Sequence, residues 1–121
     1  MNIDAFKDNK NLVHEAAKRG YLETLEVLGE HGALLDELDG KGNTPLHYAA
    51  YYKNLDSVVY LVHMGCTINA VNDDGMTALM YAVSVGHLEI VKYLHEQGAV
   101  LRIGGIKHPA LIASLEVRFE T

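Results

Sequence analysis

The chain of 121 residues has room for one domain with a buried core, since 49% of its residues are hydrophobic. Its formal net charge of −6 argues against nucleic acid as a partner, because contacts to phosphate need clustered Lys and Arg. No apolar stretch approaches the roughly 20 residues that span a bilayer, and residues 1–8 lack the apolar segment of a secretory signal, so we expect no membrane association.

One sequence pattern recurs three times along the chain at a step of 33 residues. Equivalent positions carry Ala16-Ala17, Ala49-Ala50 and Ala82-Val83, then Leu22, Leu55 and Leu88, and then Gly32, Gly65 and Gly98. In the middle copy, residues 42–50 read GNTPLHYAA. A period of 33 residues with a T-P-L-H-x-A core is typical of ankyrin repeats, and the chain is similar to that family over nearly all of its length.

The resemblance implies an all-α ankyrin-repeat solenoid that forms a single domain over residues 1–121. We assign residues 6–38 as an N-terminal capping repeat, 39–71 and 72–104 as full repeats, and 105–121 as a partial C-terminal capping repeat. Each repeat should contain two short antiparallel helices, an inner and an outer one. The loop that follows should project outward as a β-hairpin finger.

Local signals in the second repeat predict where its helices begin and end. Pro45 fits the first position of the inner helix, where the N–H that proline lacks would have no helical partner. Leu55, Val58 and Leu61 follow at i, i+3 and i+6, which predicts an outer helix with one apolar stripe. Gly65 should end that helix with a positive φ, and its equivalents in the other repeats should do the same.

The histidines do not indicate a catalytic or a metal-binding site. In ankyrin repeats the histidine at the position of His14 and His47 bonds to backbone and to the threonine hydroxyl, and it ties adjacent repeats together. Met80 replaces it in the third copy, so we do not expect a catalytic base there. Three further histidines recur near the ends of successive outer helices: His31, His63 and His95. Equivalent positions of stacked helices lie about 10 Å apart, too far for the ligands of one metal ion.

The cysteine and the sequence motifs also give no indication of a catalytic site. The lone Cys66 takes a position that is alanine in the other repeats, so we expect a small buried thiol. It cannot form an internal disulfide, which favours a cytoplasmic, or else a nuclear, protein. Nucleophile-elbow, P-loop and zincin motifs do not occur in the sequence. We therefore expect no enzymatic activity, no cofactor and no metal.

The resemblance also implies a concave binding face, made by the finger tips and the exposed side of the inner helices. The family's contact positions, carried over one by one, fall on Lys7, Asp8, Lys10, Lys18, Arg19, Leu38, Gly40, Lys41, Asn43, Tyr51, Tyr52, Val71, Asp73, Asp74, Met76, Ser84 and Val85. Tyr51 and Tyr52 are the strongest candidates, since tyrosine is enriched among interface hot spots. The alternative is that one of them packs over Lys53.

One segment resembles the asparaginyl hydroxylation site of many ankyrin repeats. Asn69 follows Ile68 and lies eight residues after Leu61, as in those sites. The acidic residue usually found two positions earlier is Thr67 here. The alternative is that Asn69 simply bonds to the backbone of the hairpin.

These observations predict a monomeric, non-catalytic module that binds another protein through its concave face. The alternative is a targeting or scaffold domain that belongs to a larger protein, such as an enzyme or a channel. Exposed Leu111, Ile112 and Leu115 with self-association would favour that alternative or a dimer.

Overall fold

A computed structural model describes residues 12–100 of the chain. Within this range all regular structure is α-helical. The helices are α1 (Leu12–Arg19), α2 (Leu22–Glu30), α3 (Pro45–Tyr51), α4 (Leu55–His63), α5 (Ala78–Ser84) and α6 (Leu88–Glu96). The contact candidates Lys7, Asp8 and Lys10, the proposed cap at 105–121 with its Leu111, Ile112 and Leu115, and the outer bounds of the first and third repeats lie outside the described residues.

The helices form two layers, as the repeat pattern predicts. The inner helices α1, α3 and α5 pack side by side, and the outer helices α2, α4 and α6 form a second row behind them. Each outer helix also packs against the inner helix of its own repeat. The all-α repeat fold is therefore confirmed.

Alanine pairs allow the inner helices to approach closely. Ala17, Ala49, Ala50 and Ala82 are completely buried, and Ala16 is nearly so. A methyl side chain at these positions leaves room for the neighbouring helix, so each repeat buries its inner helix against the next. The core of the solenoid is thus continuous from one repeat to another.

The outer helices close the core with the apolar stripe expected from their sequences. Val58 and Leu61 of α4 are fully buried, as are Ile90 and Leu94 of α6. The leucine that opens each stripe is less buried than expected, and Leu88 is 46% exposed. It occupies the first helical position, at the edge of the layer. The apolar contact therefore begins about one turn into the helix.

The fingers differ from the expected β-hairpins, because residues 12–100 contain no strand. In the second repeat Gly42 N–H donates to the Asp39 carbonyl (3.1 Å), and Asp39 N–H donates to the Asn43 carbonyl (2.9 Å). The Asp39 carboxylate also accepts the N–H groups of Lys41 and Asn43, both at 2.9 Å. Each finger is a tight turn held by a side chain, too short to form a ladder.

The ends of the helices follow the predicted signals. Pro45 opens α3, and the Thr44 side chain accepts the N–H of His47 as an N-cap. The glycines after the outer helices all have positive φ: Gly32 (83°), Gly65 (89°) and Gly98 (102°).

Lys53 is the only non-glycine residue with positive φ (65°) among residues 12–100. It occupies the turn between α3 and α4, where the other repeats have Gly20 (72°) and Gly86 (75°). A lysine in this left-handed conformation is strained, because its Cβ crowds the backbone.

Lys53→Gly should therefore raise the free energy of unfolding by about 0.5–1 kcal/mol, since relief of strain exceeds the added entropy of the unfolded glycine. Gly86→Ala is the matched reverse change, because a Cβ there would meet no atom within 4 Å. It should lower stability by about 1 kcal/mol through the backbone alone. Urea unfolding of both variants tests this, and equal stability of Lys53→Gly and wild type would contradict it.

Candidate functional site

Buried histidines join successive repeats beneath the fingers. The Nδ1 atom of His47 accepts the N–H of Thr44 (3.0 Å), so its Nε2–H donates to the carbonyl of Met76 in the next repeat (2.9 Å). The Nε2 of His14 makes the equivalent bond to the carbonyl of Asn43 (3.0 Å). The structural role predicted for both histidines is confirmed.

A second set of bonds ties each finger to the inner helix of its own repeat. The Tyr48 hydroxyl donates to the Asp39 carboxylate, and at the equivalent place the Asn72 amide donates to the Tyr81 oxygen (2.8 Å). Burial raises the pKa of Asp39, but hydrogen bonds from Tyr48 and the finger backbone outweigh it and hold that pKa below its usual value. Burial and the same carboxylate raise the pKa of Tyr48.

The fingers are also bonded to each other. The Asn72 amide donates to the Asn43 side-chain oxygen (2.8 Å), and Asp73 N–H donates to the Lys41 carbonyl (3.1 Å). A Cβ on Gly42 would lie 2.7 Å from the Asp73 carboxylate, so this close approach also requires glycine. The finger tips thus hold fixed positions relative to one another.

Tyr51 and Tyr52 lie at the carboxyl end of α3 and are 45% and 44% exposed. Their rings meet edge to face, with centroids 5.0 Å apart. Tyr51 makes a similar contact with Tyr81 (5.3 Å), and the Lys18 ammonium lies 5.4 Å from the centre of the Tyr52 ring. The pair is therefore packed from two sides while nearly half of its surface remains in water.

An open groove of about 420 Å³ lies between this pair and the fingers. It is lined by Lys41, Asn43, His47, Tyr48, Tyr51, Tyr52, Asp74 and Tyr81. A second groove of about 330 Å³ adjoins it and shares Lys41 and Tyr48. Lys18 and Glu15 line its other side. We call these two depressions together the tyrosine groove.

Seven of the predicted contact residues line the tyrosine groove: Lys18, Gly40, Lys41, Asn43, Tyr51, Tyr52 and Asp74. Asp73 is exposed at the same finger tip as Asp74, and Val85 is half-buried just after α5. Arg19 is exposed, and its Nε donates to the Glu15 carboxylate (2.6 Å). Glu15 was not among the sequence candidates, although its i, i+4 spacing from Arg19 is a detectable signal.

Two of the predicted contact residues are largely buried, and their contact with a partner remains a prediction. Asn43 is only 8% exposed and Met76 only 7%, so their side chains offer little surface to a partner. Asn43 and Met76 each directly follow a finger, and the Asn43 side-chain oxygen accepts the Asn72 amide of the neighbouring finger (2.8 Å). Their carbonyl groups accept the histidine bonds described above.

Asn69 bonds to the backbone that follows α6. Its side-chain oxygen accepts the N–H of Val100 (2.9 Å), and its amide donates to the carbonyl of Gly98 (3.2 Å). Asp36 holds the equivalent position one repeat earlier and accepts the N–H of Thr67 (3.1 Å). These bonds give Asn69 a structural role, and hydroxylation of this residue remains a prediction.

Within residues 12–100 no three His, Cys, Asp or Glu side chains are grouped so as to hold a metal ion. Burial, with a smaller effect of the Asp36 carboxylate, raises the pKa of Cys66 to about 12. No helix in the same range is long and apolar enough to cross a membrane.

Stacked helix pairs, histidine links and turn fingers at a step of 33 residues define a helical repeat protein. The family described as "Ankyrin repeats (many copies)" matches residues 13–62 and 46–95, which together cover well over half of the chain. The chain belongs to the ankyrin-repeat family. A comparison with curated proteins gives no match. Ankyrin repeats are typically non-catalytic and generally bind other proteins.

Stability should depend on pH through His47. Burial lowers its pKa below the ordinary value of 6.5, and the bond to the Met76 carbonyl only partly offsets this. The unfolded chain then binds the proton more readily. Stability is therefore fully present above about pH 6.5 and is lost as the pH falls through the folded pKa.

His47→Met, which copies Met80 of the next repeat, should reduce the slope of the free energy of unfolding against pH, because the imidazole is removed. Urea unfolding at a series of pH values measures the slope for each protein. The difference between the two slopes isolates His47 from the other histidines. Parallel curves for wild type and variant would show that the imidazole does not titrate with folding.

Cys66 should react slowly with iodoacetamide in the native protein. With its pKa raised from 9.0 to about 12, very little thiolate is present at about pH 8. We expect alkylation about 100-fold slower than for the same chain in guanidinium chloride, since the stronger nucleophilicity of a high-pKa thiolate offsets part of the effect. Mass spectrometry over time measures both rates, and similar rates would refute the protected thiol.

Proposed function

We propose that this protein is a non-catalytic interaction module that binds a partner protein at the tyrosine groove, on its concave face. The observation that carries the proposal is the exposed pair Tyr51 and Tyr52, fixed beside an open groove of about 420 Å³. Membership of a family that generally binds proteins supports it.

The exposure of the tyrosine pair is hard to explain by stability alone. Rings that serve only packing would gain by complete burial, at about 25 cal/mol for each Å² removed from water. Tyr51 and Tyr52 instead keep 45% and 44% of their surface in solvent. Tyrosine presents apolar area and a hydroxyl with only two side-chain torsions, so it loses little entropy when a partner covers it.

The grooved surface is also largely preformed. Tyr51 is held by Tyr81, and Lys41 belongs to a finger bonded to the next one. Fixed side chains reduce the entropy that binding would cost, which favours affinity for a given contact area. The repeats thus supply a rigid support for a small number of contact residues.

The chain's overall charge favours a protein partner over nucleic acid, because a net charge of −6 repels phosphate. A single half-buried cysteine suits a reducing compartment, and we place the protein in the cytoplasm, with the nucleus as the alternative. We propose that it acts as a monomer.

Tyr51→Ala/Tyr52→Ala should abolish retention of the partner in affinity capture from cell lysate, analysed by mass spectrometry. For the captured partner, purified, we expect a dissociation constant raised at least about 30-fold, which corresponds to about 2 kcal/mol for a hot-spot loss.

Val59→Ala/Leu88→Ala is the matched control. These residues lie on outer helices and are 38% and 46% exposed, so their loss also removes half-exposed apolar surface. Circular dichroism should show that both double variants are folded. Equal retention by wild type and the tyrosine variant would place the binding surface elsewhere on the protein.

A further inference from the structure

The acidic side chains next to the tyrosine groove are already engaged within the protein. Glu15 accepts the hydrogen bond of Arg19, and this bond, more than the charges of Arg19 and Lys18, lowers the pKa of its carboxyl. Asp39 is surrounded by the Tyr48 hydroxyl and the N–H groups of Lys41 and Asn43. Neither carboxylate therefore needs a further cation.

Lys18 and Lys41 are in the opposite situation. Neither lysine forms an ion pair with another residue in the range 12–100. Lys18 leans over the exposed Tyr52 ring, and Lys41 lines both parts of the tyrosine groove. In a chain with a net charge of −6, this side of the groove carries two positive charges without carboxylate partners.

The other side of the groove has the reverse charge. Asp74 occupies the same repeat position as Lys41, one finger along, and Asp73 is exposed beside it. The Asp74 N–H is engaged with the Asn72 side chain (2.9 Å), and the exposed carboxylate lines the groove. A bound segment would therefore meet lysines at the α1 side and carboxylates at the third repeat.

We infer that the groove recognises an acidic segment of its partner, with an Asp or Glu carboxylate placed between Lys18 and Lys41 and an adjacent apolar side chain against Tyr51 and Tyr52. This inference rests on the proposed function and specifies the chemistry of the partner. Complementary charge selects the partner and speeds its docking, while the aromatic contact supplies most of the affinity. The Asp73 and Asp74 finger repels a segment whose acidic run continues to that side.

Selection from a phage-displayed library of random peptides tests the inference without knowledge of the natural partner. Purified protein is the bait, and peptides that still bind the Tyr51→Ala/Tyr52→Ala variant are removed. We expect the remaining sequences to contain more Asp and Glu than Lys and Arg, next to an apolar residue. Remaining sequences without an acidic excess would overturn the inference while leaving the proposed function standing.

Charge reversal then tests the lysines themselves with the best selected peptide. Lys41→Glu should weaken its binding about tenfold at low salt, and less at high salt, because screening shortens the reach of the lost attraction. Lys18→Glu should act in the same direction. Lys92→Glu, an exposed outer-helix lysine changed by the same charge, is the control and should have little effect.

Fluorescence anisotropy with the labelled peptide gives the dissociation constants of wild type and the three variants. If Lys41→Glu and Lys92→Glu weakened binding equally, the effect would come from the change in net charge alone. That result would overturn the assignment of Lys41 to the acidic segment. A library that yields no tyrosine-dependent peptide would count against both the inference and the proposed function. The capture experiment then separates the two, since a natural partner lost by the tyrosine variant would uphold the function alone.

Discussion

The fold depends on a hydrogen bond between repeats, from a buried imidazole to a carbonyl at the base of the next finger. His14 and His47 each make this bond where water is excluded, so breaking it would leave a buried polar group unsatisfied. The bond joins the inner helix of one repeat to the residue after the next finger, and the alanine-bearing inner helices pack closely beside it. Neither feature can form within one repeat alone.

The third repeat has no histidine at this position. Met80 replaces it and is completely buried. Thr77 still caps its helix by accepting the N–H of Met80 (3.2 Å). The threonine therefore caps the inner helix in both the second and the third repeat. In the second repeat the imidazole of His47 also bonds to the following repeat.

The repeat pattern predicted several features that depend on local backbone conformation. Pro45 and the glycines at positive φ are examples, because the physical cause lies in the residue itself. The burial of Asn43 was not predictable in this way, since its side chain bonds to Asn72 of the next finger. Gly29 is a similar case. A Cβ there would collide with the Tyr60 hydroxyl of the neighbouring outer helix, which no reading of one repeat reveals.

The charged residues of the candidate site were likewise predictable only in part. Sequence alone placed Lys18, Lys41 and Asp74 at contact positions, and the structure brings them to one groove. Which charges are free for a partner could not be predicted, because it depends on bonds such as that of Tyr48 to Asp39. The recurrence of Tyr48 and Tyr81 at the repeat step was the available signal for that network.

A rigid stack also explains how so few residues could define a binding site. Equivalent positions of successive repeats carry Lys18, Tyr51 and Ser84, and the fingers carry Lys41 and Asp74. The same pair of helices recurs in each repeat, so substitutions at these positions change the chemistry of one continuous surface. A gradient from positive through aromatic to negative side chains then results from sequence variation on a constant support. Since that support is already ordered, a partner would lose little of its binding free energy to ordering it.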